Sequence, residues 1–224
     1  MRKKRFLFLL IIGIANLCII HESHGHSVYF EETAGGIVVR FGEFQGDHEE
    51  SPGYLDQLDA VTAWIQNKGE KPKALITTKK KQGFSLEASL SASILAQTGF
   101  PVMARGDNPG RKPNFYARWI SGFDAKIEPA MNLDIVPTGK ADQAQVFFRG
   151  KPLADVEVKL YSPDAEEEKY TSDKKGIINF KINPKATGIY MLKVARYSEE
   201  LKGFDRGVGY AVTSHNCSLT RKQK

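Results

Sequence analysis

Short segments in which apolar and polar residues alternate fill the second half of the chain, and they constrain its fold more than any other feature. Residues 156–160 (VEVKL), 178–182 (INFKI) and 190–194 (YMLKV) each place an apolar side chain at every second position. Because neighbouring side chains of a strand point to opposite faces, this period predicts strands with one buried face. Turn sequences rich in glycine and proline separate the segments. The spacing predicts an antiparallel, immunoglobulin-like β-sandwich over residues 137–213.

The first half, residues 26–136, also carries strand signals. Residues 36–44 (GIVVRFGEF) and 84–90 (FSLEASL) combine β-branched or alternating apolar positions with nearby turn residues. Residues 115–120 (FYARWI) are aromatic and strand-like. We therefore predict a mostly β chain with two β-rich parts, of which the second is the sandwich.

One stretch of the first half has a helical pattern instead. Ser51-Pro52 has the form of a helix start, with a capping serine before proline at the first helical position. Gly69 marks the expected end. The apolar face of this predicted short helix consists of Leu55, Leu58, Val61 and Ile65. We expect that face to pack in the core.

The strand at residues 115–120 would divide its side chains between two faces. Phe115 and Trp119 would lie on one face, while Tyr116 and Arg118 would share the other. We expect core burial for Phe115 and Trp119, with exposure of one face for ligand stacking as the alternative. For Arg118 we expect an ion pair with an acid from the first half.

The N-terminus has the pattern of a secretory signal peptide. Four cations at residues 2–5 precede an apolar run over residues 6–20, and a polar segment follows. The run is shorter than the roughly 20 residues that a membrane-spanning helix needs. We expect cleavage after Gly25, with earlier sites as rivals. The predicted product is periplasmic and does not span the membrane after signal cleavage.

Removal of residues 1–25 changes the interpretation of charge and cysteine content. The net charge falls from +6 to +3, because this segment holds four of the 32 lysines and arginines and one of the 26 acids. The remaining charges are interspersed, which argues against a nucleic-acid partner. Cys217 alone remains, so no internal disulfide forms, as a bacterial periplasmic protein permits. We predict that residues 214–224 are a tail.

Several phrases in the chain resemble known exported proteins. The segments GKPLADVEVKLY (150–161), TSDKKGIINFKI (171–182) and TGIYMLKVARY (187–197) are similar to an immunoglobulin-like or transthyretin-like module. With HSVYFEE, VRFGEF, SPGYLDQL, FYARWI and GVGYAV, the chain from about His26 to Val212 resembles an exported bacterial family of unknown function. That family is associated with periplasmic components of nickel and cobalt uptake. The resemblance implies a metal-transport or outer-membrane receptor component as partner, but it assigns no ligand positions.

Three histidines remain after the predicted cleavage and are the candidate metal ligands: His26, His48 and His215. As the new N-terminal residue, His26 would offer its α-amine and its imidazole to one ion of nickel, cobalt or copper. A further imidazole from His48 or His215 would complete a three-nitrogen site. Each histidine could also have no role in metal binding. His26 would then be an incidental N-terminal residue, His48 part of a solvated acidic loop, and His215 a surface residue near the tail.

The sequence thus predicts a non-enzymatic exported accessory protein that binds or delivers a divalent transition metal. The alternative is a structural or ligand-binding β-sandwich module that contacts a protein or glycan partner without metal. Recognised motifs of nucleophilic hydrolases, zinc proteases and nucleotide-binding enzymes do not occur in the sequence. We therefore expect no catalytic residues.

Overall fold

The computed structural model describes residues 25–67, 70–104, 106, 110–164 and 167–224. The predicted signal peptide, apart from Gly25, lies outside the described residues. The described chain is mostly β, as predicted, with eighteen strands and one turn of 3-10 helix at Tyr54–Gln57. In these ranges no helix has the length and apolar character required to cross a bilayer.

The strands, in chain order, are β1 Ser27–Thr33, β2 Gly36–Gly42, β3 Thr62–Gln66, β4 Lys73–Leu75, β5 Thr77–Lys80, β6 Gly83–Leu86, β7 Ser93–Gly99, β8 Arg111–Trp119, β9 Leu133–Pro137, β10 Gln143–Phe148, β11 Lys151–Pro152, β12 Glu157–Tyr161, β13 Glu168–Thr171, β14 Ile177–Asn179, β15 Gly188–Glu199, β16 Gly203–Asp205, β17 Val208–Tyr210 and β18 Val212–Gln223.

These strands form three main sheets and one small hairpin. The first sheet has the order β1-β2-β6-β5, and the central sheet has the order β13-β12-β15-β18-β8-β7-β3-β4. The third sheet is built on β10, which pairs with β9, β11 and β14, while β16 and β17 form the hairpin. The central sheet therefore takes four strands from each half of the chain.

The central sheet packs against another sheet on each of its faces. Along β8, Phe115 and Trp119 belong to a core shared with the first sheet, whereas Tyr116 belongs to a second core shared with the third sheet. Successive side chains of a strand point in opposite directions, so the first and third sheets cover opposite faces of the central sheet. The predicted division of residues 115–120 and the burial of Phe115 and Trp119 are confirmed.

The last strand joins the two halves of the central sheet. β18 pairs antiparallel with β15 and parallel with β8, so the prediction of a tail over residues 214–224 is wrong. Cys217 and Leu219 enter the second core. The opposite face carries Ser214, Ser218 and Thr220, all buried. These hydroxyl side chains made the segment resemble a polar tail, but buried partners satisfy them, as when Ser218 donates to the Val28 carbonyl at 2.7 Å.

The predicted helix is also wrong in its extent. Only Tyr54–Gln57 form a helical turn, and residues 62–66 form β3 between β7 and β4. Ala63 packs in the first core while Trp64 packs against the second. β3 has apolar contacts on both faces and therefore lacks polar alternation. Its Ile65 matched a helical spacing with apolar residues that precede the strand only by coincidence. The predicted end at Gly69 lies outside the described residues.

A buried ion pair connects the central and third sheets. Arg118 on β8 donates to both carboxylate oxygens of Asp134 on β9, at 2.9 and 2.6 Å, and both side chains are fully buried. This is the predicted pair with an acid of the first half. Arg118 also donates to Ser93 and Gln66. The backbone amides of residues 130 and 131 donate to Asp134.

Replacement of one partner of this pair should destabilise the fold strongly. We expect Asp134→Asn to lower the free energy of unfolding by about 3–5 kcal/mol, because it leaves the Arg118 charge buried without its counterion. Urea unfolding followed by circular dichroism measures the change. The matched control is Glu128→Gln in the exposed Lys126–Glu128 pair, where we expect a loss below about 1 kcal/mol. Equal losses in the two variants would contradict the assigned role.

Candidate functional site

A pocket of about 530 Å³ lies on the face of the central sheet that the first sheet covers only in part. Its floor comes from one face of β8, β18, β15 and β12, including Phe115, Asn216, Lys193 and Lys159. The volume falls in the range of small-molecule sites. We call this cavity the sheet pocket.

Four basic side chains line the sheet pocket: Arg111, Lys159, Lys193 and Arg196. Lys159 and Lys193 are direct cross-strand partners in the pairing of β12 with β15. Like charges in this arrangement destabilise a sheet, so a chain gains nothing for its stability by placing them there. Their position is therefore a functional signal.

A β-bulge places the fourth cation. The register of β15 against β18 shifts between Val194 and Tyr197, and Arg196 in the bulge has a left-handed φ of 55°. The side-chain oxygen of Asn216 accepts from the Arg196 backbone amide at 3.0 Å and holds the bulge in place. Bulges commonly re-aim a side chain beside a functional site. Here the bulge leaves the Arg196 guanidinium at the pocket.

Most of these cations lack a carboxylate partner. Lys159 pairs with Glu167 at 2.7 Å. Lys193 donates to the Gly25 carbonyl at 2.8 Å and Arg111 donates to the Ser214 hydroxyl at 2.9 Å. Across the described ranges, neither of these two nor Arg196 forms an ion pair with an acid. The sheet pocket therefore has a surplus of positive charge.

Burial changes the protonation of Lys193. Its pKa is lowered to about 8, first because burial removes water from the ammonium group and then because Lys159 repels it. Arg196 acts in the same direction, while Glu167 and Glu43 oppose the shift. At neutral pH the side chain is charged in a place that penalises the charge, which a bound anion would relieve.

Aromatic side chains form the opposite end of the sheet pocket. Phe41 lies 5.8 Å from Phe100 and 5.7 Å from Phe115, measured between ring centroids. Tyr54 stacks on Phe100 at 6.5 Å. Tyr54 and Met103 are about half exposed at this end. The pocket is thus basic over β12 and β15, whereas the end over β8 and beyond is mainly apolar and contains one of the four cations, Arg111.

The structure places His26 in the sheet pocket and the other two candidate ligands elsewhere. The His26 ring packs on Phe41, and its Nε2 lies 2.6 Å from the Glu49 carboxylate. His48 packs on Tyr29, which points away from the first core. Burial lowers the pKa of His48, and Arg40 lowers it further. His26 and His48 therefore lie on opposite faces of the β1–β2 pair.

His215 is buried in the central sheet rather than exposed near a tail. Its Nδ1 lies 3.1 Å from the Tyr116 hydroxyl, and its Nε2 lies 3.0 Å from Glu199. Arg149 donates to the same Glu199 oxygen at 2.7 Å. Burial lowers the pKa of His215, against the opposing effect of Glu199. The three histidines thus occupy three surroundings, and no group of three metal-binding side chains occurs among the described residues.

Sequence reasoning missed the basic residues of the sheet pocket. The alternation of residues 156–160 and 190–194 marks Lys159 and Lys193 only as polar positions of strands. The available signal was that both lysines fall on the polar face of a predicted sandwich strand. Their juxtaposition depends on which strands pair and in which register, and the spacing within each strand does not contain that information.

Comparison of the chain with protein-family models, with curated proteins and with solved structures finds no match in any of the three. The function is therefore argued from the site alone.

The environment of His215 predicts a stability that depends on pH. Because the folded-state pKa lies below the unfolded value of about 6.5, the unfolded chain binds the proton first. The stabilisation is complete above about pH 6.5 and is lost as the pH falls through the folded pKa. Urea unfolding at pH 5 and pH 7 measures how much the free energy of unfolding falls with acid. We expect His215→Gln to abolish the part of this fall that His215 causes. His48→Gln should keep the His215 part and lose only the separate part that the lowered pKa of His48 contributes. Parallel curves for wild type and His215→Gln would contradict the prediction.

Lys193 predicts a further rise of stability with pH, in the alkaline range. Its folded pKa of about 8 lies below the unfolded value of about 10.4, so the unfolded chain holds the proton longer. We expect the stability advantage of Lys193→Met over wild type to shrink by about 1.4 kcal/mol per pH unit from roughly pH 8 to 10. Urea unfolding at several pH values measures the trend. Lys126→Met is the control, since that side chain is exposed, and a constant advantage for Lys193→Met contradicts the assignment.

Proposed function

We propose that the protein is an exported, non-enzymatic β-sandwich module that binds a small anionic ligand in the sheet pocket. The main support for this proposal is the pair of cross-strand partners Lys159 and Lys193, which lines one cavity together with Arg111 and Arg196. An anion there would accept charge-assisted hydrogen bonds and offset the repulsion between the cations. Export rests on the pattern of residues 1–25 alone.

The same charges weigh against a metal centre at His26. Lys193 donates to the carbonyl of Gly25, which forms the peptide bond to His26. Cleavage after Gly25 would remove that carbonyl and leave the free α-amine of His26 close to Lys193. A divalent cation at that amine would face Lys193 and Arg196, which also line the cavity. The new amine would instead add a fifth positive group for an anion. The metal-delivery function predicted from the resemblance is therefore the second candidate, favoured only by the close His26–Glu49 pair.

Anion titration of the purified chain tests the proposal. We expect acetate and inorganic phosphate to bind at pH 7, and Lys193→Gln and Arg196→Gln each to weaken binding about tenfold or more, because each removes a charge-assisted contact. Isothermal titration calorimetry measures the affinities. Lys126→Gln is the matched control for loss of a remote exposed lysine.

A parallel titration with Ni²⁺, Co²⁺ and Cu²⁺ separates the two candidates. The protein should be expressed with its own N-terminal segment, and mass spectrometry should establish the first residue. Micromolar or tighter metal binding that His26→Gln removes, together with no anion binding, would reverse the order of the two candidates.

A further inference from the structure

The two ends of the sheet pocket differ in chemistry, and this difference restricts the ligand further. We infer that the ligand is an amphipathic anion whose charged head lies over β12 and β15 and whose apolar body lies over β8 and the aromatic wall. This inference rests on the proposed function and adds the class of ligand to it.

The order of strands sets the direction of the ligand. Lys159 on β12 and Lys193 on β15 stand opposite each other, and Arg196 follows in the bulge of β15. Asn216 on β18 comes next across the sheet, and it is the direct partner of Phe115 on β8. Along this line the floor changes from basic to polar to aromatic across four neighbouring strands. The remaining cation, Arg111, lies at the start of β8, away from this line.

Strand spacing sets the length of the ligand. Neighbouring strands lie about 4.8 Å apart, so the floor from β12 to β8 spans roughly 14 Å. A small inorganic anion would contact only the basic end and leave the aromatic end solvated. An anion with a hydrocarbon or ring body would cover both ends and remove apolar surface from water.

The apolar end extends beyond the floor. Tyr54 is 56% exposed and Met103 is 50% exposed, and both line the same cavity as buried Phe41 and Phe115. The Arg111 guanidinium lies 3.3 Å from the Met103 sulfur. Large apolar side chains that are half exposed around a cavity are typical of a surface that a ligand covers. The aromatic wall thus has free surface for the body of the ligand.

A series of straight-chain carboxylates from acetate to decanoate tests this inference at pH 7, with decanol as the uncharged counterpart. We expect affinity to rise by about fourfold for each added methylene until the chain outgrows the pocket. Decanol should bind much more weakly than decanoate, because it lacks the charge that the basic end binds. Titration calorimetry measures each affinity.

Exposed positions provide variants that leave the core intact. Tyr54→Ser combined with Met103→Ser should weaken decanoate binding about tenfold or more and weaken acetate binding far less, because acetate reaches only the basic end. Ile76→Ser is the matched control, because Ile76 is 86% exposed and does not line the sheet pocket. It should change neither affinity.

The outcomes separate this inference from the function on which it rests. Equal affinities for acetate and decanoate, with both lost in Lys193→Gln, would overturn the amphipathic ligand and retain the anion site. Equal affinities for decanol and decanoate would also overturn it. Binding of no carboxylate would overturn the amphipathic ligand, and if inorganic phosphate also failed to bind, the anion site would be overturned as well.

Discussion

The buried pair of Arg118 and Asp134 is the interaction on which the layered arrangement depends. Two fully buried charges persist only when each satisfies the other and further hydrogen bonds complete their shells. Ser93 and Gln66 accept from Arg118, while two backbone amides donate to Asp134. Such a pair tolerates little displacement. It therefore sets the position of β9, and with it the third sheet, against the central sheet.

The sheet pocket follows from that layering. The third sheet covers one face of the central sheet. The first sheet, which has four strands against the eight of the central sheet, covers the other face over only part of its width. β1 lies over only part of the surface between β12 and β8, and the uncovered part is the floor of the sheet pocket. β18 is essential to this geometry because it lies between β15 and β8 and pairs with both strands. The basic residues of β15 and the aromatic residues of β8 meet in one cavity for that reason.

The sheet pocket also illustrates a conflict between stability and binding. The opposed lysines, the burial of the Lys193 ammonium group and the left-handed backbone of Arg196 each cost folding free energy. The two apolar cores offset these costs. A small region that combines several features unfavourable to folding is expected to be a functional site. The three candidate metal ligands His26, His48 and His215 are not brought together in this way, because they lie in separate surroundings.

The sequence by itself determined the β class, the alternating strands of the second half, the two faces of residues 115–120 and the need of Arg118 for an acid. All of these depend on neighbours along the chain, because side-chain alternation is a local property of a strand. The helix predicted at residues 51–69 was wrong because β3 packs against both cores and lacks polar alternation. The predicted tail failed because buried serine and threonine resemble exposed ones in composition. Only the tertiary structure decided which strands pair, and that pairing is long-range. It alone placed Lys159 opposite Lys193 and separated His26, His48 and His215.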